Sequence, residues 1–199
     1  MGRKFPEVYS SLDGMDNERL EINGPVAILG AGVTGRSVEK WIRQRGGQAV
    51  VFGEKPGETP FSLEQAAGFS VLVYSPGFRP HHPWLAGAKA AGCVCLSELD
   101  LAAAFWPGGP VWAVTGTNGK TTTTEALVHA LRYAGHPAVA SGNIGTPLLD
   151  LCLPGVSPLQ TVCEVSSFQA QAVTRFRPDA LLWGSFAADH LDWHLTLDD

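Results

Sequence analysis

The chain has 199 residues, 45% hydrophobic and 17% charged, with a formal net charge of −5. At roughly 100–200 residues per domain this length holds one large domain or two small ones, and the apolar share excludes intrinsic disorder over most of the chain. The mild acidity excludes a broad basic face for nucleic acid, and no run approaches the ~20 apolar residues of a membrane-spanning helix, so a cytoplasmic protein without membrane insertion is expected.

Residues 1–24 are mixed and polar and read as an N-terminal arm. Beyond them short apolar runs alternate with helix-like stretches. Val26–Gly30 predicts a strand, a glycine turn follows, and 34–45 predicts a helix. Ala49–Phe52 and Val71–Tyr74 are further strands, with a weak helix near 62–67 between them. Trp84–Ala91 predicts a helix, Cys93–Leu96 a strand and Glu98–Phe105 a helix. Trp106-Pro107-Gly108-Gly109-Pro110 can neither continue a helix nor sit in a central strand, and marks a domain boundary. The alternation then restarts: strand Val111–Thr115, helix Thr121–Tyr133 closed by Gly135, strand Ala138–Ser141, short helix Pro147–Leu151, and strands Thr161–Val165 and Ala180–Trp183. Such alternation builds parallel sheets, whose ligands gather at the C-terminal ends of the strands. The four cysteines form no C-x-x-C pair, so a zinc ribbon has no support; Cys93, Cys95 and Cys163 lie in apolar runs, as reduced core thiols do.

The strongest chemical signal is Gly116-Thr117-Asn118-Gly119-Lys120-Thr121-Thr122, after an apolar strand and opening a helix. In that setting backbone N–H groups wrap phosphates, the helix N-terminus adds positive potential, Lys120 reaches the terminal phosphates and the Thr121 hydroxyl can ligate Mg²⁺. The first glycine of the usual phosphate-loop pattern would fall on Val114, so the match is a variant one. Glu164 closes the run Thr161-Val162-Cys163 and can hold a nucleotide-bound metal from a neighbouring strand end. Asp189-His190-Leu191-Asp192-Trp193-His194 gathers two acids and two histidines, but Leu191 stands where a zincin needs Glu. Gly30-Ala31-Gly32-Val33-Thr34-Gly35 is a G-x-G-x-x-G turn, with Glu54 about 20 residues on; taken alone it is a dinucleotide fingerprint. Ser75-Pro76-Gly77 and Gly142-Asn143-Ile144-Gly145 are further loops after strands where a backbone can approach a ligand. His81-His82 carries no motif and reads as loop.

Together these strings resemble the Mur ligase family, ATP-dependent amide-forming enzymes of peptidoglycan synthesis. The phosphate loop is shared widely in that family; its combination with Gly142–Gly145 and Glu164-Val165-Ser166-Ser167-Phe168-Gln169 is similar to the members that add D-glutamate to UDP-N-acetylmuramoyl-L-alanine. The resemblance covers about residues 24–199. It implies an α/β fold with a Rossmann-like parallel-sheet domain at 25–107, binding the UDP substrate, and a truncated P-loop-type central ATPase domain at 111–199. It implies ATP and Mg²⁺ as cofactors, with residues 116–122 on ATP and Lys120, Glu164 and His190 as the catalytic set. Thr121 and Glu164 would serve the ATP-linked Mg²⁺ and His190 a second Mg²⁺. Gly32, Val33, Thr34 and Ser75 would lie near the UDP end, and Asn143, Ser166 and Gln169 would face the muramoyl part. ATP would phosphorylate the alanyl carboxylate, and the D-glutamate amine would attack the acyl phosphate.

Three positions depart from the family pattern. Gly53 stands where members often carry Asp, Ser185 where Asn is common, and Trp193 where Arg is common. The resemblance also implies that the chain stops inside the central domain, without the domain that takes D-glutamate, so the chain alone is expected not to ligate. Two other readings remain open at this level: an NAD(P)-dependent oxidoreductase with Glu54 on the ribose, and a non-catalytic nucleotide-binding module. The phosphate loop at 116 weighs against the first, because a dehydrogenase has no use for it.

Overall fold

The computed structural model describes residues 20–156 and 159–194; most of the expected N-terminal arm lies outside them. The chain divides into two compact units. The first runs up to Gly108 and also takes Pro147–Pro158 and Gln171–Arg177; the second comprises Gly109–Thr146, Leu159–Ala170 and the chain from Pro178.

The first unit begins with strand β1 (Val26–Leu29), helix α1 (Val33–Gln44) and strand β2 (Ala49–Phe52). Helix α2 (Leu63–Ala66), strand β3 (Val71–Tyr74), helix α3 (Pro83–Ala90), strand β4 (Val94–Ser97) and helix α4 (Glu98–Ala104) follow. The four strands pair in parallel in the order β2-β1-β3-β4. All residues of β1 and β3 are buried, which is why both read as unbroken apolar runs rather than alternating ones. One face packs Leu29, Phe52, Phe61, Leu72, Leu85 and Ala88 into a core, with Phe61 edge-on to Phe52. Because β1 lies between β2 and β3, the chain reverses direction across the sheet there, and the crevice at the ends of β1 and β3 is where open α/β sheets bind ligands.

Two buried acids fasten the later segments to this unit. Asp100 is fully buried, and its carboxylate accepts from the backbone N–H groups of Thr174, Arg175 and Phe176 and from the Thr174 hydroxyl. Glu98 accepts from Leu149 N–H at 2.6 Å, at the start of a 3₁₀ turn over Leu148–Cys152. Burial pushes the Glu98 carboxyl up to about 7; the Leu149 bond opposes that shift and the nearby Asp150 charge adds to it. Ser37 donates to Asp150 at 2.9 Å, and Arg45, stacked over the Trp41 ring, donates to the Cys152 carbonyl.

The second unit carries strand β5 (Val111–Thr115), helix α5 (Lys120–Tyr133), strand β6 (Ala138–Gly142), strand β7 (Gln160–Glu164), the first four residues of helix α6 (Ser167–Ala172) and strand β8 (Ala180–Trp183). Its parallel sheet has the order β6-β7-β5-β8. Val114, Val128, Ala138 and Val162 form its core between α5 and the sheet. β8 is an edge strand whose four residues are all exposed. The thiols of Cys93, Cys152 and Cys163 are buried and that of Cys95 half-buried, and burial pushes the Cys152 thiol up to about 12.

Candidate functional site

In the second unit β5 and β7 are neighbours, and Val114 is in register with Glu164. The loop after β5 and the acid ending β7 therefore meet at one corner of the sheet. Gly116 has φ 139°, and a Cβ there would lie 2.9 Å from Ser185 N, so the loop needs glycine at this point. Gly119 takes the left-handed conformation as the N-cap of α5, which leaves the first turn of a 14-residue helix without a side-chain cap. Open N–H groups at a helix start form an anion-binding surface. Lys120 folds back over the loop, its Nζ donating to Gly116 O at 2.7 Å and Thr117 O at 3.0 Å.

Glu164 is 1% exposed. The Thr121 hydroxyl donates to its Oε2 at 2.8 Å and the Asn143 amide to its Oε1 at 2.7 Å. Both donors are neutral, and among the described residues no ion pair to Glu164 is present. Buried carboxylates are ordinarily paired with a cation or ligate a metal, and the oxygens of Glu164 and Thr121 suit a hard ion such as Mg²⁺. Among the described residues no three His, Cys, Asp or Glu converge. Asn143 is placed by its own backbone: its N–H donates to Glu164 O at 2.9 Å, and a Cβ on Gly142 would overlap that same carbonyl oxygen.

The structure thus brings Lys120, Thr121, Asn143 and Glu164 together. Ser166 and Gln169 are engaged with each other instead, as the N-cap box of α6: Ser166 N–H donates to Gln169 Oε1 at 2.9 Å and Gln169 N–H to Ser166 Oγ at 3.3 Å. His190 has φ 51° and a half-exposed side chain, and its ring lies 4.8 Å from that of Phe168. His194 donates its N–H to His190 O in a single helical turn, but its ring is stacked on Phe168 and bonded to Ser167 Oγ. The two histidines do not form a paired metal face.

Ser185, marked in the sequence only as a departure from the family pattern, ties the loop after β8 to the loop after β5. Its Oγ accepts from Asn118 N–H at 2.9 Å, and its carbonyl accepts from Thr117 N–H at 2.8 Å. Thr117 Oγ1 accepts from Ala187 N–H at 2.9 Å and completes the seam. No local signal announces such a contact between residues about 70 apart in sequence.

In the first unit, Gly30 (φ 101°) ends β1 and Gly32 caps α1. A Cβ on Gly35 would overlap Gly30 O, so the third glycine permits the close approach of helix and turn. Val33 opens α1 in an exposed position, and Thr34 follows it half-buried. Ser75 follows β3 beside Gly30, and its buried hydroxyl has no hydrogen-bond partner among the described residues. An orphaned buried hydroxyl at the mouth of a parallel sheet suits a polar ligand. His82, which carried no motif, caps α3 through Nδ1 and pairs Nε2 with Glu54 at 3.0 Å.

A profile of the Mur ligase middle domain matches residues 114–199. The chain is also 36% identical to a UDP-N-acetylmuramoylalanine–D-glutamate ligase of Gloeobacter violaceus, over 87% of this chain and 43% of the relative. Residues 114–199 belong with the Mur ligase middle domain. A second relative of the same name, from Mycolicibacterium paratuberculosis, is 36% identical over 90% of this chain and 40% of its own length. The chain thus spans about two fifths of the length of these curated relatives. A solved Mur ligase structure, the UDP-N-acetylmuramate:L-alanyl-gamma-D-glutamyl-meso-diaminopimelate ligase of Neisseria meningitides, shares the fold with a TM-score of 0.54 at 19% identity. That likeness covers 88% of this chain and 64% of the solved one. Among the described residues no helix is long and apolar enough to cross a membrane.

Proposed function

We propose that this chain supplies the UDP-substrate and ATP sites of an enzyme that joins D-glutamate to UDP-N-acetylmuramoyl-L-alanine in the cytoplasm. The observation that carries the reading is Glu164: a buried carboxylate without a cationic partner among the described residues, held by Thr121 of the phosphate loop at 2.8 Å. The names of the relatives support the choice of substrates.

In this reading the backbone N–H groups of 116–122 cradle the ATP phosphates and Lys120 neutralises the terminal one. Thr121 and Glu164 would hold Mg²⁺, which when bound supplies charge neutralisation at the phosphoryl oxygens. Asn143 fixes the Glu164 carboxylate, so its orientation needs no adjustment when nucleotide enters. His190 would serve a second ion near the acyl group, and Ser166 and Gln169 would approach the muramoyl part from the start of α6. The substrate carboxylate attacks the γ-phosphorus and ADP leaves. The amine of D-glutamate then attacks the acyl carbon, phosphate leaves and the amide forms. The protein contributes alignment and charge stabilisation in both steps. In the first unit the glycine turn 30–35 and Ser75 would receive the diphosphate and nucleoside.

Calorimetry on the chain tests both sites. The account expects Mg²⁺-dependent ATP binding and preference for UDP-N-acetylmuramoyl-L-alanine over NAD. Preference for NAD would instead support the oxidoreductase reading of the glycine turn.

A further inference from the structure

Carboxylates at the end of β2 in such sheets accept hydrogen bonds from nucleotide ribose hydroxyls. Here the residue directly after β2 is Gly53, which has no side chain to offer. The chain then turns back on itself: Gly53 N–H donates to Thr59 O at 2.9 Å and Glu58 N–H to Lys55 O at 2.9 Å, with Gly57 at φ 88° making the bend. The turn carries the Glu58 side chain back over Gly53. A Cβ on Gly53 would overlap the Glu58 carboxylate, with Glu58 Cδ 2.5 Å away. The carboxylate therefore fills the space into which a side chain at 53 would project. Lys55 N–H donates to Oε2 at 3.0 Å and holds it there.

The other acid of this loop is committed elsewhere. Glu54 is mostly exposed and its Oε1 is paired with His82 Nε2 at 3.0 Å. We propose that Glu58, brought onto Gly53 by the 53–59 turn, is the acid that accepts the ribose hydroxyls of the bound nucleotide, in place of a side chain at 53 and in preference to Glu54. This assignment rests on the reading of the first unit as a UDP-substrate site. Two further features belong to the same strand ends: the glycine turn after β1 and the unpartnered Ser75 hydroxyl after β3. Together they place backbone donors and a polar hydroxyl for the diphosphate on one strand end and an acid for the sugar on the next. Gly53 lies outside the left-handed backbone region, so a side chain at 53 is excluded by the Glu58 carboxylate rather than by strain. That carboxylate is the far end of a flexible side chain; with it removed, the nearest remaining atom is the Cβ of residue 58 at 3.1 Å, which a shift of a few tenths of an ångström accommodates.

The test is calorimetry of the 199-residue chain with UDP and with 2′,3′-dideoxyuridine diphosphate, comparing the native protein with Glu58→Gln, Glu54→Gln and the double variant Gly53→Asp/Glu58→Ala. The native chain is expected to prefer UDP by about tenfold, the size of one or two hydrogen bonds to a charged acceptor. Glu58→Gln should lose most of that preference while binding dideoxyuridine diphosphate as before. Glu54→Gln should keep the preference, and the double variant should regain it by returning the acid to position 53. Preserved discrimination in Glu58→Gln, or its loss in Glu54→Gln, overturns the assignment and leaves the UDP site standing. A native chain that binds neither uridine nucleotide, or prefers NAD, overturns the UDP reading and the assignment with it. Melting of each variant without ligand confirms that it is folded.

Discussion

Replacing Glu164 by Gln should move stability and nucleotide binding in opposite directions. The carboxylate is 1% exposed and held by two neutral donors, the Thr121 hydroxyl and the Asn143 amide. Glutamine keeps the shape. Its Oε1 can accept from Asn143 and its Nε2 can donate to Thr121 Oγ1, so both 2.7–2.8 Å contacts survive with one direction reversed. What is lost is a buried charge without a counter-charge among the described residues, so the ligand-free chain should be unchanged in stability or gain about 1 kcal/mol. Binding should suffer, because in the proposed site that charge would hold the phosphate-bound Mg²⁺. Removal of one charge-stabilising group from such a site costs on the order of 10²-fold, about 3 kcal/mol. Two measurements on the same sample decide the matter: thermal melting without ligand, and calorimetric titration with ATP at fixed Mg²⁺ and again in EDTA. A variant that binds Mg·ATP like the native chain, or that melts several degrees lower, would show that Glu164 is a structural acid.

Other perturbations follow from the same geometry. The folded pKa of Glu98, about 7, lies above its ordinary 4.5, so the stability it contributes is fully present below pH 4.5 and is lost as pH rises to 7, by about 3 kcal/mol. Glu98→Gln should flatten that slope in denaturant melts, and an unchanged slope would place the titration elsewhere. Asp100→Ala strands the N–H groups of Thr174, Arg175 and Phe176 and should destabilise the first unit by about 3 kcal/mol or more in urea unfolding. Gly116→Ala places a Cβ 2.9 Å from Ser185 N at φ 139°, and should weaken ATP binding with little effect on UDP binding by the other unit. Ser185→Ala removes the Oγ contacts to Asn118 and should reduce ATP affinity severalfold at most, since the Ser185 carbonyl still holds Thr117.

The sheets were legible because their strands are short apolar runs between glycine and proline punctuation, and four of the eight, β2, β3, β5 and β8, keep their expected bounds. β4 begins at Val94 rather than Cys93, whose thiol donates to the Ala66 and Phe69 carbonyls before the ladder starts. The expected helix at Pro147–Leu151 is a 3₁₀ turn one residue later, since Pro147 supplies no N–H and extended φ/ψ precedes the turn. Helix α6 has only six residues, too few to show an apolar period, and its one local signal is the capping box of Ser166 and Gln169. That the 116–122 turn and Glu164 share one end of one sheet was legible because each follows an apolar run, and β5 and β7 pair in parallel. Contacts made at long separation, such as Ser185 on Asn118 or Asp100 on residues 174–176, leave no periodic trace and emerge only from the folded chain.

The most direct measurement of the central claim is ATP affinity with and without Lys120. Its ammonium bridges Gly116 and Thr117 within the loop, so Lys120→Ala removes a charge from the phosphate cradle without removing a core contact. The account predicts that the native chain binds ATP in a Mg²⁺-dependent manner and that Lys120→Ala weakens this on the order of 10²-fold while the melting temperature holds. Equal affinity in the two proteins, or native binding indifferent to Mg²⁺, would contradict it.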